Sequence, residues 1–579
     1  MSRPKLYVPQ GFYETPRWTE AKLLRQTLDM AKTRLLVIAC AFVLAFLVIT
    51  GRLIDVSLLR GGGGEGEEIL ARARALKGIT FRADIVDRNG ELLATSLSTS
   101  SLYANARKVL DAREAADKLI QVLPELNHKE ITQRLQSGKG FVWLVRHLTP
   151  QKQAEIIRLG IPGIYLQRDE RRVYPHGELF AHVLGYTNID NQGLGGVERK
   201  FDEILSSKGD PLRLSLDIRV QHVLRDELLA GIEKFKAQGG AGLIMDVQTG
   251  EIIAMVSLPD YDPNQVGKMG SEKQALFNRI TLGTYEMGSS FKIFNTALYL
   301  ESGVGSLSTK FDVSAHLRIG RFRVSDFHPA HYPLTVAEIF TESSNIGAAK
   351  MAVQMGKDLQ VAFFEKLGFF RAPSFEVPEI GSPLYPKVWS DSTIMTAAYG
   401  YGISISPLQL VTAMAGVVNK GIMLQPTLLK IEASSALGKG TRVISEKTSE
   451  IMCKLMYMVV AQGRSKKARV EGYEVGGKTG TANTLEGRAY KKGSNITSFM
   501  GAFPMSCPRY AVLIMVDRPQ AIKGTYGFNA AGWNAAPIAG KVIGRIAPLL
   551  HVMPTNEGRL GSEPHPMLID ARVFQGRGH

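Results

Sequence analysis

Cysteine is scarce, with 3 in 579 residues. That excludes a disulfide-dense scaffold, which needs several thiols at close spacing. Cys40 lies in an apolar run. Cys453 and Cys507 can pair in an oxidising compartment, but two free, buried thiols are the reading the sequence favours. Zinc-finger spacing, a phosphate-cradling loop and a basic motif interleaved with aromatics are also missing. The net charge of +16 therefore does not point to nucleic acid. A basic chain of this kind suits an anionic membrane or another polyanion. Long hydrophobic runs are lacking too, with a single exception near the amino terminus.

That run, from Leu35 to Thr50, carries no charge. Extended through Arg52 to Ile54, it matches one membrane helix of roughly 20 residues. Arg52 can snorkel to the interface. Upstream, Arg3, Lys5, Arg17, Lys22, Arg25, Lys32 and Arg34 outweigh Glu14, Glu20 and Asp29; Glu65, Glu67 and Glu68 follow downstream. The positive-inside rule predicts a cytoplasmic tail over 1–33 and a transmembrane anchor over 34–54. The bulk of the chain is then periplasmic, held to the cytoplasmic (inner) membrane by one helix. No small-residue cleavage site follows the run, so it reads as an uncleaved anchor.

Hydrophobic residues at 45% and charged residues at 21% suit a globular chain, and 579 residues imply two or three domains. Gly61 to Gly64 form a flexible linker. Phe81 to Ala94 reads as two strands around the turn Asn89-Gly90. Helical stretches at 112–135 and 150–159 complete a mixed α+β pedestal over 65–215 without catalytic spacing. His176 and His182 have no supporting cluster and read as surface or core histidines. Over 216–552 a helix to about Lys236 precedes two strands, 241–247 and 251–256. Helices fill the middle, notably 392–418. Strands at 475–484, 496–503 and 510–517 and a helix at 535–549 close the domain. Strands, then helices, then strands predict an α+β fold: an antiparallel sheet completed from both chain ends, flanked by helices, with an all-α region inserted. Residues 553–579 read as a flexible tail.

The chemistry-bearing stretch is Tyr285-Glu286-Met287-Gly288-Ser289-Ser290-Phe291-Lys292. A helix-like segment follows, to a stop at Gly303. Residues three apart share a helix face, so the Lys292 amine can reach the Ser289 hydroxyl. A desolvated, neutral lysine is a competent base and an activated serine a competent nucleophile. The spacing alone is common, and Ser2-Arg3-Pro4-Lys5 repeats it by chance. Two later matches change its weight: Ser343-Ser344-Asn345 in an apolar segment, and Lys478-Thr479-Gly480-Thr481 heading a strand. Glu286, Asp246 and Asp262 show no carboxylate pairing and read as helix-start or turn residues.

The ordered set S-x-x-K, S-x-N and K-T-G belongs to penicillin-binding proteins and class A β-lactamases. On it the chain resembles a class B penicillin-binding protein, of the division-specific peptidoglycan D,D-transpeptidase type. The resemblance runs from the anchor to about residue 550. It includes Arg82 to Gly90, Leu214 to Gln221, Tyr399-Gly400-Tyr401-Gly402, Ser406-Pro407-Leu408-Gln409, Asn419-Lys420-Gly421 and Ala535-Ala536-Pro537. Met287 departs from it, standing where the family usually has proline. No segment matches a glycosyltransferase domain.

The resemblance implies acyl transfer without metal or cofactor. Ser289 attacks the D-Ala-D-Ala carbonyl of a peptidoglycan stem peptide, and Lys292 is its base. Ser343 relays a proton, Asn345 holds Lys292 and the substrate amide, and Lys478 and Thr479 grip the substrate carboxylate. Gly480 lets the strand approach the ligand closely, and backbone N–H groups of Ser289 and Thr481 form the oxyanion hole. Implied partners are stem peptides on lipid-linked glycan strands, β-lactam antibiotics, a polytopic membrane glycan polymerase and other division proteins. Three alternatives stay open at this point: an elongation-type paralogue, a β-lactamase or carboxypeptidase using water, and a β-lactam receptor or division scaffold without turnover.

Overall fold

The computed structural model describes residues 32, 34, 36–50, 82–207, 209–269, 273–319, 322–431, 440–486 and 489–555. The linker at Gly61 to Gly64, the anchor's end at 51–54 and the tail from 556 lie outside them. Residues 36–50 are helical and exposed throughout. Among the described residues no helix is long and apolar enough to cross a membrane.

Contacts divide the described residues from 82 onward into two compact units, one over 100–169 and the other over 82–99 together with 170–555. In the first, the helices Ala112–Val122, His128–Leu135 and Pro150–Leu159 pack on a strand face through Leu102, Leu119, Ile131, Leu144 and Ile156. Asp111, Asn127 and Thr149 cap these helices by accepting from their first free amides.

In the second unit the Asn89-Gly90 turn is pinned by Asp87, which accepts from the amides of Asn89 at 2.7 Å and Glu91 at 2.9 Å. Buried Arg82 and Arg172 share Glu198, at 2.6 and 2.7 Å, and Arg82 also pairs with Asp202 at 2.7 Å, so two carboxylates face the two guanidinium groups. The main sheet is antiparallel, in the order Gly476–Glu486, Ala489–Phe503, Tyr510–Asp517, Gly239–Asp246, Ile252–Leu258. Two strands come from before the helical region and three from after it, as the sequence pattern predicts. The strand Gly239–Asp246 is buried at every position, which explains why it carries no polar side chain before Asp246. Leu243, Met245 and Leu513 face one core; Ile244, Val512 and Ile514 face another. The helices Ile218–Lys234 and Ala535–Leu549 contribute to the second core, while Lys292–Glu301, Pro407–Val418 and Glu446–Ala461 contribute to the first.

Two expectations are corrected here. The helix expected over 392–418 is two helices, Asp391–Ala397 and Pro407–Val418. Gly400 and Gly402 take φ of +84° and +82° between them, and Ser406 with Gln409 forms a capping box in front of Pro407. Proline belongs in a first turn and cannot sit mid-helix. The cysteines are free, but only Cys453 is buried; Cys507 is exposed and unpaired.

Candidate active site

Ser289 lies on a 3₁₀ turn, Gly288–Phe291, that runs straight into the helix Lys292–Glu301. That spacing brings Lys292 Nζ to 3.0 Å from Ser289 Oγ. The same amine lies 2.6 Å from Ser343 O, 2.6 Å from Asn345 Oδ1 and 3.2 Å from Ser343 Oγ. Ser343 is the joint between two helices. It ends Val336–Glu342 in the left-handed region, φ +64°, and Asn345 opens Asn345–Met355. Met287, the family departure, is buried and so is held by packing.

Burial pushes the Lys292 amine well below the usual lysine range; the charge of Lys478 adds to this and Asp326 opposes it. A neutral amine has two N–H donors and one lone pair. Ser343 O and Asn345 Oδ1 can only accept, so they take the two donors. The lone pair is then left for the serine hydroxyls, with the base facing the nucleophile.

Lys478, Thr479, Gly480 and Thr481 lie on the sheet-edge strand Gly476–Glu486. Alternation along the strand sends Thr479, Thr481 and Asn483 to a cavity of about 810 Å³ that Ser289, Ser343 and Asn345 also line. Lys478 and Gly480 point the other way. Lys478 is fully buried; burial first, then Arg464, pushes its amine down to about 7. Among the described residues its Nζ has no hydrogen-bond partner, and it stands 6.0 Å from the centre of the Phe340 ring. The close approach at Gly480 is made to the serine turn itself. A Cβ there would fall 2.5 Å from Met287 O and 2.5 Å from Ser290 Oγ. Gly288 is constrained too, with φ +54° and Thr481 O at 2.6 Å from any added Cβ. The backbones of the serine turn and of Thr481 are thus in contact.

Asp326, Glu342 and Arg464 at the site carry no linear signal. Asp326 accepts from Ser344 Oγ at 2.6 Å and from the amides of Asn345 and Ile346 at 2.5 and 3.0 Å. Arg464 pairs with Glu342 on the cavity wall. Glu286 is not a turn residue: it accepts from Gly402 N at 2.7 Å and from the Tyr490 hydroxyl at 3.0 Å, and burial raises its pKa. Tyr399 and Tyr401, in the break between the two helices, also line the cavity. Asp262 and Asp246 do serve turns, accepting from Asn264 N and Gln248 N at 2.9 Å each. His182 is a core histidine bonded to Ala275 O at 2.8 Å. Among the described residues no group of three or more His, Cys, Asp or Glu could hold a metal ion.

Comparison with known proteins adds the family. Residues 240–544 match the penicillin-binding protein transpeptidase domain and residues 80–210 the penicillin-binding protein dimerisation domain. The chain is 38% identical to a probable peptidoglycan D,D-transpeptidase FtsI of Caulobacter vibrioides, over 81% of this chain and 82% of that protein. It is 31% identical to peptidoglycan D,D-transpeptidase FtsI of Escherichia coli, over 82% of this chain and 84% of that protein. The transpeptidase domain of Burkholderia pseudomallei penicillin-binding protein 3 superposes with a TM-score of 0.53 at 31% identity, covering 59% of this chain and 97% of that one. A peptidoglycan synthetase from Bifidobacterium adolescentis shares the fold, with a TM-score of 0.65 at 22% identity over 84% of this chain and 97% of that one. The chain belongs to the penicillin-binding protein transpeptidase family, as a class B member of the FtsI type.

Proposed function

We propose that the protein is a peptidoglycan D,D-transpeptidase that crosslinks stem peptides during septal wall synthesis and is acylated by β-lactams. The observation that carries this is the amine of Lys292, buried, depressed in pKa and 3.0 Å from Ser289 Oγ. Ser289 Oγ attacks the carbonyl between the two D-alanines as Lys292 takes its proton. The C–N bond breaks, the terminal D-alanine leaves with a proton relayed through Ser343, and a serine ester remains. An amine of a second stem then takes the acyl group and frees the serine. Asn345 holds the Lys292 amine and the substrate amide, and Thr479 receives the substrate carboxylate. The amides of Ser289 and Thr481 face the carbonyl oxygen; one such donor is worth on the order of 10²–10³ in rate. No step calls for a metal or cofactor.

The same reading places the protein in the cytoplasmic membrane through 34–54, amino terminus inside and catalytic domain outside. The uncharged run from Leu35 to Thr50 and the exposed helix over 36–50 support it. The implied partners are a polytopic glycan polymerase and other division proteins. The test supplies a D-Ala-D-Ala stem donor with an amine acceptor. Crosslinked product that vanishes in Ser289→Ala is expected; release of D-alanine with only hydrolysed stems would favour a carboxypeptidase.

A further inference from the structure

The free carboxylate of the acyl donor needs a cation, and the lysine of the K-T-G triplet is badly placed to meet it directly. Lys478 is fully buried, is not among the residues lining the cavity and, among the described residues, is unbonded at Nζ. Arg464 does line the cavity, just past the helix Glu446–Ala461. Its Nε and Nη2 donate to one oxygen, Glu342 Oε2, at 3.0 and 2.6 Å. That contact uses the side-on edge of the guanidinium. The end-on edge, formed by Nη1 and the second hydrogen of Nη2, remains for a planar, two-oxygen acceptor.

The neighbours fit that role. The hydroxyl of Ser465, next in the chain, is 3.5 Å from Thr479 Oγ1, so the backbone that bears Arg464 lies against the strand that bears Thr479, and Arg464 and Thr479 line the same cavity. Glu342 immediately precedes Ser343, so the orientation of Arg464 is tied to the turn that holds Lys292. The charged groups lining this cavity are Arg464 and Lys466 against Glu342 and Asp326, and Asp326 is taken up by Ser344 and the amides of Asn345 and Ile346. Lys466 itself is an exposed point charge on a flexible stem and lacks the fork that fixes a carboxylate.

We propose that Arg464, held side-on by Glu342, binds the donor's terminal carboxylate through its end-on edge, with Thr479 donating its hydroxyl to the same group. Lys478 acts on that carboxylate only as a buried charge. The assignment rests on Ser289 being the acylated residue.

The full chain is given two thioester acylating probes, identical except that the leaving end carries a free carboxylate or its primary amide. Acylation of Ser289 is followed by mass spectrometry, and the acid-to-amide ratio of rate constants is the readout. That ratio does not depend on the fraction of folded protein. The expected ratio for the unaltered chain is on the order of 10², the worth of one charge-assisted pair. Arg464→Gln should bring it close to one, and Arg464→Lys should leave it between the two. A ratio unchanged in Arg464→Gln, or lost only in Lys478→Met, overturns the proposal. An unaltered chain that is acylated at Ser289 by neither probe overturns the reading of Ser289, and the proposal with it.

Discussion

Asp326 accepts a hydrogen bond from the hydroxyl of Ser344 at 2.6 Å. The same carboxylate takes the amides of Asn345 and Ile346 and so caps the helix Asn345–Met355 from outside it. It fixes the turn whose Ser343 and Asn345 atoms hold the Lys292 amine. Asp326→Ala should lower stability by roughly 1–2 kcal/mol, as loss of a helix cap does. It should also slow acylation by about 10²-fold, the usual cost of misplacing a catalytic group by an ångström. Chemical denaturation and penicillin acylation rates check the two effects. An unchanged rate in a destabilised protein would limit Asp326 to a structural role.

The two buried amines oppose folding at neutral pH. Lys292 is held well below the lysine range, and Lys478 is pushed down to about 7, in each case chiefly by burial. Over the pH range between these depressed values and the ordinary lysine pKa, the unfolded chain binds more protons than the folded one, so stability rises with pH. Lys292→Met and Lys478→Met should each raise the denaturation midpoint at neutral pH. For Lys292→Met, acylation should fall by about 10²–10⁴-fold, the contribution of a general base. A lowered midpoint in both variants would contradict the account.

Gly480→Ala tests the contact between the strand and the serine turn. The new methyl would lie 2.5 Å from Met287 O and 2.7 Å from Ser498 Oγ, so the turn must move. Overpacking of this kind costs about 1–3 kcal/mol. Acylation should fall by more than the loss of folded protein explains, because the displaced turn carries Ser289. Rates normalised to folded protein decide it.

His182 sets an acid limit on stability. Burial lowers its pKa to about 4, whereas the unfolded chain takes up that proton near the ordinary value. Between those values the unfolded state binds the extra proton, so stability falls as pH drops through the window. The full loss is roughly 3 kcal/mol, from about 1.4 kcal/mol per pKa unit. His182→Gln should flatten the difference in urea midpoint between about pH 7.5 and about pH 5. An unchanged pH slope would assign the acid sensitivity to other groups.

What the sequence made legible were features written locally. Ser289 and Lys292 are one helical step apart, and the strands Gly239–Asp246, Ile252–Leu258 and Tyr510–Asp517, buried nearly throughout, are largely apolar runs. The hidden features join distant positions. Asp326 reaches Ser344 over 18 residues, past the helix Val336–Glu342, Arg464 reaches Glu342 over 122, and Glu286 reaches Tyr490 over 204. No periodicity announces an acid in a loop. The break between 397 and 407 was open to reading from Gly400, Gly402 and Pro407, but the apolar spacing on either side masked it. In the sequence Gly480 suggests an approach to ligand; its close approach in the fold is to the serine turn, which only the folded register of strand and turn reveals.

The central claim is that Ser289 is the residue acylated and that its ester resists water. The most direct measurement incubates the protein with a fluorescent penicillin, maps the labelled peptide by mass spectrometry and follows loss of the label. The account predicts a long-lived adduct on Ser289 that is absent from Ser289→Ala. An adduct on another residue, or rapid release of the label by hydrolysis, would contradict it.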